Sequence, residues 1–270
     1  RLGSGLGAPA RPRLGVDFAG TVEAVGDGVT RFQPGDDVFG GKFGAFAEYV
    51  VLDADGPMAP RPAGLDFDHA AGVPIAALTA LQALRDHGRV QPGQKVLING
   101  ASGGVGTFAV QIAKAMGAEV TGICSARNAD LVRALGADQV IDYKHSDYTR
   151  SGQRWDVIID NVGNQPLLAN RRALTDAGIY VMVGGPAGDW LGPMWRPLRA
   201  MLIDPFVGQE MGMMMAQQSR GDLATLASML ASGQLETVID RRFALEDIAA
   251  AISYSETGRA RGKIIIEVGD

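Results

Sequence analysis

The sequence predicts an α/β protein in which helices cover both faces of a parallel sheet, joined to a smaller irregular β region. Three observations carry this. Short apolar runs alternate with helical stretches from about residue 78 to 184, the βαβα rhythm of a parallel sheet. Between their polar ends the runs KVLIN, DVIID and IYVMVG are apolar without alternation, and EVTGIC nearly so, as strands buried on both faces are. Residues 15–52 instead break into short apolar runs separated by Gly, Asp and Pro turns, the pattern of an irregular β domain.

Taken in order, the β region reads VDFAGTVEAVG, then PGDDVFGG, then AFAEYVVL. Residues 53–75 are punctuated by Pro57, Pro60, Pro62 and Pro74 and read as connective. LTALQAL, from Leu78, is helical. A strand over 95–99 is entered from the Pro92-Gly93 turn. Beyond it Val105, Phe108, Ala109, Ile112, Ala113 and Met116 fall at i, i+3, i+4, i+7, i+8 and i+11, one face of a helix. Strands follow over 119–124, 139–143, 156–160 and 179–184, with helices over 128–136 and around 166–176. The end of the chain adds helices over 222–233 and 245–254 and strands over 238–240 and 263–268.

Composition bounds the function. Of 270 residues 46% are hydrophobic and 20% charged, which excludes a disordered or fibrous chain. A net charge of −5 and a pI near 5.3 argue against a nucleic-acid partner. Cys124 is the single cysteine, so an intrachain disulfide is excluded and a cysteine-based zinc site is disfavoured. The longest weakly polar stretch, Gly72 to Leu84, is 13 residues and too short to cross a bilayer. With no signal-peptide pattern, the expectation is a soluble protein of a reducing compartment, the cytoplasm. The chain opens at Arg1 in the loop-like stretch RLGSGLGAPARPR, which reads as the start of a fragment or processed product.

The sharpest local signal is Asn99-Gly100-Ala101-Ser102-Gly103-Gly104-Val105-Gly106, placed where a strand ends and a helix opens. Gly103 lets the backbone approach a pyrophosphate, Gly106 lets the helix pack closely on the strand, and the helix N-terminus offers N–H groups to phosphates. Ala101 stands where the common fingerprint has its first Gly. An NAD site places an acid at the end of the second strand, about 20 residues on. Nineteen residues past Gly106 the sequence has Ser125, Ala126 and Arg127, with no acid before Asp130. A hydroxyl and a guanidinium suit a 2′-phosphate, so NADP (as NADPH) is expected. The alternative is that Ser125 only caps the next helix and Arg127 is a solvated charge.

At this point GVDFAGTVEAVGDGV, PGDDVFG, GAFAEYV, AAGVPIAALTAL, VLINGASGGVGTFAVQIAKAMGAEV, LVRALGADQVIDY and GRARGKIII, in this order from about Gly15 to Val268, resemble the zinc-less branch of the medium-chain dehydrogenases/reductases. The similarity is to the quinone oxidoreductase (zeta-crystallin-like) group. The resemblance implies a GroES-like catalytic domain, 1–76 and 206–270, with a Rossmann cofactor domain, 77–205, NADPH as hydride donor, and a homodimer. It implicates Ser102, Gly103, Gly104, Val105 and Gly106 at the pyrophosphate. It matches Ser125, Arg127 and Tyr143 to positions around the 2′-phosphate and adenosine. Asn161, Val162, Gly184 and Gly185 should edge the nicotinamide half, with Thr79 a weaker candidate there. Arg259, Ala260 and Arg261 match a loop that folds over the cofactor. The family normally carries roughly 50 residues before GVDFAG that hold the polar groups nearest the acceptor, so no catalytic acid or base is assigned.

Zinc branches carry Gly-His-Glu where this chain has Gly15-Val16-Asp17, and Val16 cannot ligate a metal. His69, His87 and His145 are scattered without ligand spacing, so no metal is expected. The expected reaction is zinc-independent reduction of a quinone or other electron-poor enone or carbonyl acceptor by NADPH. Alternatives are an enoyl-thioester reductase and a non-enzymatic NADPH-binding protein. The small-molecule acceptor could meet a pliable wall of Met211, Met213, Met214 and Met215, with Met194 and Met201, or these could be ordinary packing.

Overall fold

The physical properties of the sequence sort into two units in a computed structural model that describes residues 13–184 and 208–269. One unit runs to Leu78 and resumes at Gln218; the other is Thr79–Gln217.

The first unit begins with a three-stranded antiparallel sheet of β1 (Asp17–Thr21), β2 (Asp37–Gly41) and β3 (Met58–Pro60), with β2 in the centre. Phe32, Val38 and Met58 bury its inner face, with Phe18, Val22 and Leu52 against them. Asp37 accepts the Thr21 hydroxyl (2.8 Å) and pairs with Arg61 (2.5 Å), which ties the β2 start to the chain after β3. Two expectations change here. The proline-punctuated segment contains β3 and a short helix α1 (Phe67–Ala71), capped by the Asp66 carboxylate on the His69 N–H at 2.8 Å. AFAEYVVL forms no strand, because β2 already pairs on both sides and no described strand meets residues 45–52. Tyr49 and Val51 are left 73% and 90% exposed. A largely apolar cavity of about 960 Å³ lies within this unit, lined by Phe18, Val22, Phe32, Phe46 and Ile264 among others. Helix α2 (Pro74–Gln82) follows, and the boundary between the units falls inside it. A single π-turn over Ala83–His87 closes it at Gly88.

The second unit is a six-stranded, wholly parallel sheet. Its strands are β4 (Lys95–Asn99), β5 (Glu119–Cys124), β6 (Gln139–Asp142), β7 (Trp155–Asp160), β8 (Leu174–Met182) and β9 (Glu210–Met213). The spatial order is β6-β5-β4-β7-β8-β9. Numbered from its own first strand that is 3-2-1-4-5-6, the doubly wound order whose ligand crevice opens where the direction reverses, between β4 and β7. Helices α3 (Gly104–Ala115), α4 (Ala129–Ala134) and α5 (Leu167–Arg172) make the crossovers. Of the α3 face read from the sequence, Phe108, Ala109, Ile112 and Ala113 are at most 1% exposed, while Val105 and Met116 at its ends are half-buried. Gly117, at φ +82°, turns the chain back into β5. β9 pairs with β8 from Glu210 to Met213, so this unit reaches Gln217, past the 205–206 boundary expected from sequence. Met211 and Met214 are buried, Met211 in the sheet core beside Leu97 and Tyr180, whereas Met213 and Met215 are exposed. Met194 and Met201 lie outside the described residues.

The chain then returns to the first unit through α6 (Arg220–Ala231), β10 (Ile239–Ala244), α7 (Ile248–Glu256) and β11 (Lys263–Glu267), with β10 and β11 parallel. Ser219 caps α6 by accepting the Asp222 N–H. Lys263 of β11 reaches Asp17 of β1 at 3.3 Å, and Asp17 also accepts the Ile75 N–H at 2.9 Å. Burial pushes the Asp17 carboxyl above its usual range, with Lys263 pulling the other way. Among the described residues no helix is long and apolar enough to cross a membrane.

Candidate functional site

The site is built where the parallel strands end. β4 finishes in Asn99, and the chain turns through Gly100 (φ +80°) before α3 starts at Gly104. The turn hangs on β5: the Gly100 and Ala101 N–H groups both donate to the Ile123 carbonyl, at 3.1 and 2.9 Å, and the Gly103 N–H donates to Gly100 at 3.0 Å. The two glycines after it serve opposite ends. A Cβ on Gly106 would run into the Gly100 carbonyl oxygen and lie 2.8 Å from Ala101 Cα, so Gly106 is required for helix–strand contact. A Cβ on Gly103 would meet only the Gly100 oxygen, at 3.4 Å, an ordinary contact. Gly103 (φ −86°, ψ 178°) is in extended backbone open to any residue, so what its missing side chain keeps is space and not conformation. That space lies at the opening turn of a 12-residue helix, whose first N–H groups have no intrahelical acceptor.

The neighbouring strand ends supply the rest. Ser125 follows β5 directly, is 8% exposed and makes no side-chain capping bond to the 126–128 turn, whose Asn128 N–H donates to the Ser125 carbonyl at 2.9 Å. Arg127 is exposed two residues on. Tyr143, beyond β6, is docked to β5 by its N–H to the Cys124 carbonyl (3.2 Å) while its side chain is 55% exposed. The carboxylate closing β6, Asp142, accepts the Lys144 N–H (3.0 Å). Cys124 is buried, and burial, with the Asp142 charge beside it, pushes its thiol up to about 11, an inert thiol at neutral pH.

Across the reversal point, β7 ends in Asp160, fully buried and bonded at both oxygens. Oδ1 accepts from Asn99 Nδ2 (2.8 Å), Val162 N (3.0 Å) and Gly163 N (2.8 Å), and Oδ2 accepts from the Tyr180 hydroxyl at 2.5 Å. Asn99 also donates to Asn164 Oδ1 (2.9 Å), and Asn161 returns its Nδ2 to the Asn99 carbonyl (3.0 Å). Asn161 and Val162 therefore stand on a loop fixed by a buried carboxylate. Gly184, after β8, approaches that loop so closely that a Cβ would overlap the Asn161 carbonyl oxygen.

The structure thus gathers Ser102 to Gly106, Ser125, Arg127, Tyr143, Asn161, Val162 and Gly184 along one edge of one sheet. Gly185 lies outside the described residues. Thr79 is buried on α2 in the same unit. Arg259, Ala260 and Arg261 lie in the other unit, between α7 and β11, with Arg261 pairing with Asp240 at 3.6 Å. The sequence marks Asn99 only as the start of the glycine turn and does not single out Asn128, Asp160, Asn164 or Tyr180. The available signal is that two continuously apolar strands, KVLIN and DVIID, each close in a polar residue that the fold buries.

The edge fits a dinucleotide on three observations: the open cradle at Gly103, the N-terminal turn of α3, and two buried oxygens, Asn128 Oδ1 and Asn161 Oδ1, with no protein partner. Asn128 Nδ2 donates to Ser102 Oγ at 2.9 Å. Among the described residues no group of three or more His, Cys, Asp or Glu side chains is arranged to hold a metal ion.

Known proteins place this architecture. A family model described as "Alcohol dehydrogenase GroES-like domain" matches residues 4–63, and one described as "Zinc-binding dehydrogenase" matches 135–266. The chain is 36% identical to trans-enoyl reductase pgmF of Aspergillus terreus, over 98% of this chain and 79% of that protein. It is 33% identical to quinone-oxidoreductase QR1, chloroplastic, of Triphysaria versicolor, over 99% and 84%. The solved quinone oxidoreductase of Coxiella burnetii is similar at a TM-score of 0.82 and 30% identity, covering 95% of this chain and 79% of that one. With the GroES-like match, the doubly wound sheet and these relatives, the chain belongs to the quinone oxidoreductases of the medium-chain dehydrogenase/reductase superfamily, oxidoreductases that use a nicotinamide cofactor.

Proposed function

We propose that the protein catalyses NADPH-dependent reduction of a quinone or an electron-poor enone or carbonyl, without zinc. When bound, the reduced nicotinamide supplies a hydride, and the acceptor takes it together with a proton from solvent. The observation that carries this reading is the polar edge at the β4/β7 reversal. There the α3 N-terminus and the open Gly103 would receive the pyrophosphate, and the Asp160-fixed loop would set the plane for the nicotinamide half. In this reading the chain's own work is orientation and exclusion of water, since an electron-poor acceptor delocalises its developing oxyanion.

NADPH over NADH is supported by Ser125 and Arg127 at the end of β5, where an acid would favour a ribose hydroxyl. Zinc independence is supported by Val16, a side chain with no donor atom, at the position of the ligand His of zinc branches. A homodimer is what the family resemblance supports. Similarity to a trans-enoyl reductase supports a second reading, reduction of an enoyl thioester. NADPH consumption measured with a benzoquinone, a simple enone and an enoyl thioester decides among them. Turnover with quinone or enone, unchanged by exhaustive chelation, is expected. Exclusive turnover of the thioester selects the second reading, and tight NADPH binding with no turnover of any acceptor leaves a binding protein.

A further inference from the structure

We propose that Asn128 is a positioning residue for the dinucleotide: its amide holds the Ser102 hydroxyl so that the hydroxyl proton points at a phosphate oxygen. The proposal rests on the dinucleotide reading above. Asn128 is 4% exposed, closes the short turn after β5, and donates Nδ2 to Ser102 Oγ at 2.9 Å. It therefore joins the turn at the adenosine end to the glycine turn, segments that lie 26 residues apart in sequence. A serine hydroxyl has one proton and two acceptor lone pairs. Once one lone pair is committed to the Asn128 amide, the proton is directed away from it, and Ser102 has no other side-chain partner among the described residues. Ser102 immediately precedes Gly103, the residue whose missing side chain leaves the cradle open.

The second observation is on Asn128 itself. Its Oδ1 is buried and has no partner. A buried carbonyl left unsatisfied is costly, and such an atom calls for a specific explanation. A bound cofactor brings hydroxyl hydrogens on its ribose, which an amide oxygen accepts and a phosphate cannot offer. One amide thus serves both parts of the nucleotide, Nδ2 through Ser102 and Oδ1 directly.

The test is fluorescence titration of the intact chain with NADPH and with NADH. Asn128→Ala is expected to weaken both by about tenfold, unlike a change at Arg127. Asn128→Asp keeps the shape but accepts the Ser102 proton and turns the hydroxyl around, so a loss of about a hundredfold is expected. Its affinity for NADH, compared with wild type at each pH, should recover as the pH falls and the new carboxyl gains a proton it can donate. In a Ser102→Ala background, Asn128→Ala should weaken affinity clearly less than the tenfold it costs in the wild-type chain, the remainder being the direct Oδ1 contact. Full additivity with Ser102→Ala, or wild-type affinity of Asn128→Ala, overturns the proposal while the cofactor reading stands. Failure of the wild-type chain to bind either nucleotide overturns both. Melting of each variant without nucleotide separates a folding defect, and the isosteric Asp variant with its pH profile decides the matter if the Ala variant does not fold.

Discussion

The six-stranded sheet and the smaller β unit handle their apolar residues in opposite ways. In the sheet, Val96, Leu97 and Ile98 of β4 and Val157, Ile158 and Ile159 of β7 are all 0% exposed, with parallel partners on both sides. In the smaller unit residues 45–52 carry the same kind of side chains but meet no strand, and Tyr49 and Val51 stand in the open. The difference is one of covering. A parallel sheet closed on both faces leaves only its strand ends free, so polar residues collect there and can be fully satisfied, as Asp160 is through four hydrogen bonds. Where faces are left uncovered, burial no longer decides where function can sit.

The largest expected effect breaks the sheet's own frame. Gly106→Val drives a branched side chain into the backbone of Gly100 and Ala101, which cannot rotate away. Destabilisation should reach or pass the upper end of the about 1–3 kcal/mol typical of overpacking, with a lower melting temperature and no NADPH binding. Gly103→Val separates site from frame: its extended backbone admits valine, so circular dichroism should stay near wild type and the melting temperature fall only slightly, the cost of losing glycine at the α3 N-cap, while NADPH binding disappears. Normal NADPH binding by that variant would make the turn merely structural. Arg127→Ala is smaller and selective, costing about 1.5–3 kcal/mol with NADPH and almost nothing with NADH, the scale of one charged hydrogen bond. Equal weakening of both cofactors would refute the 2′-phosphate assignment.

The smallest effect sharpens the comparison through pH. Burial alone would raise the Asp138 carboxyl, but the Lys114 ammonium (2.8 Å) and the Val120 N–H (2.7 Å) hold it below its ordinary 3.8. Its stabilisation is therefore present above that value and fades as the pH drops through the lower native one. In the smaller unit the sign reverses, because Asp17 is raised and its contribution fades as the pH rises. Asp138→Asn should lower the melting temperature slightly at neutral pH, with the gap to wild type closing in acid. A gap that persists unchanged in acid contradicts the assignment.

The sheet was legible because its determinants are local. Continuous apolar runs, the Pro92-Gly93 entry and the 3–4 spacing from Val105 to Met116 each report burial directly. The glycine turn was legible for the same reason, and the sequence already separates Gly103, which keeps space, from Gly106, which keeps contact. Hidden from it were residues whose importance is a pairing between distant segments: Asn99 with Asp160, Tyr180 with Asp160, and Asn128 with Ser102. AFAEYVVL misleads because a strand requires a neighbour, and the sequence of one segment does not state which neighbours are available.

Hydride transfer is tested most directly by following the atom. The protein is incubated with NADPH deuterated on the transferring face of its nicotinamide and with an α,β-unsaturated ketone, and the product is examined by mass spectrometry and NMR. One deuterium per turnover is expected on the β-carbon of the saturated ketone, in chelator-treated protein as in untreated, and none with Gly103→Val. Saturated ketone formed without deuterium, using either deuterated face, or no reduction of enone or quinone while NADPH is bound, would contradict it.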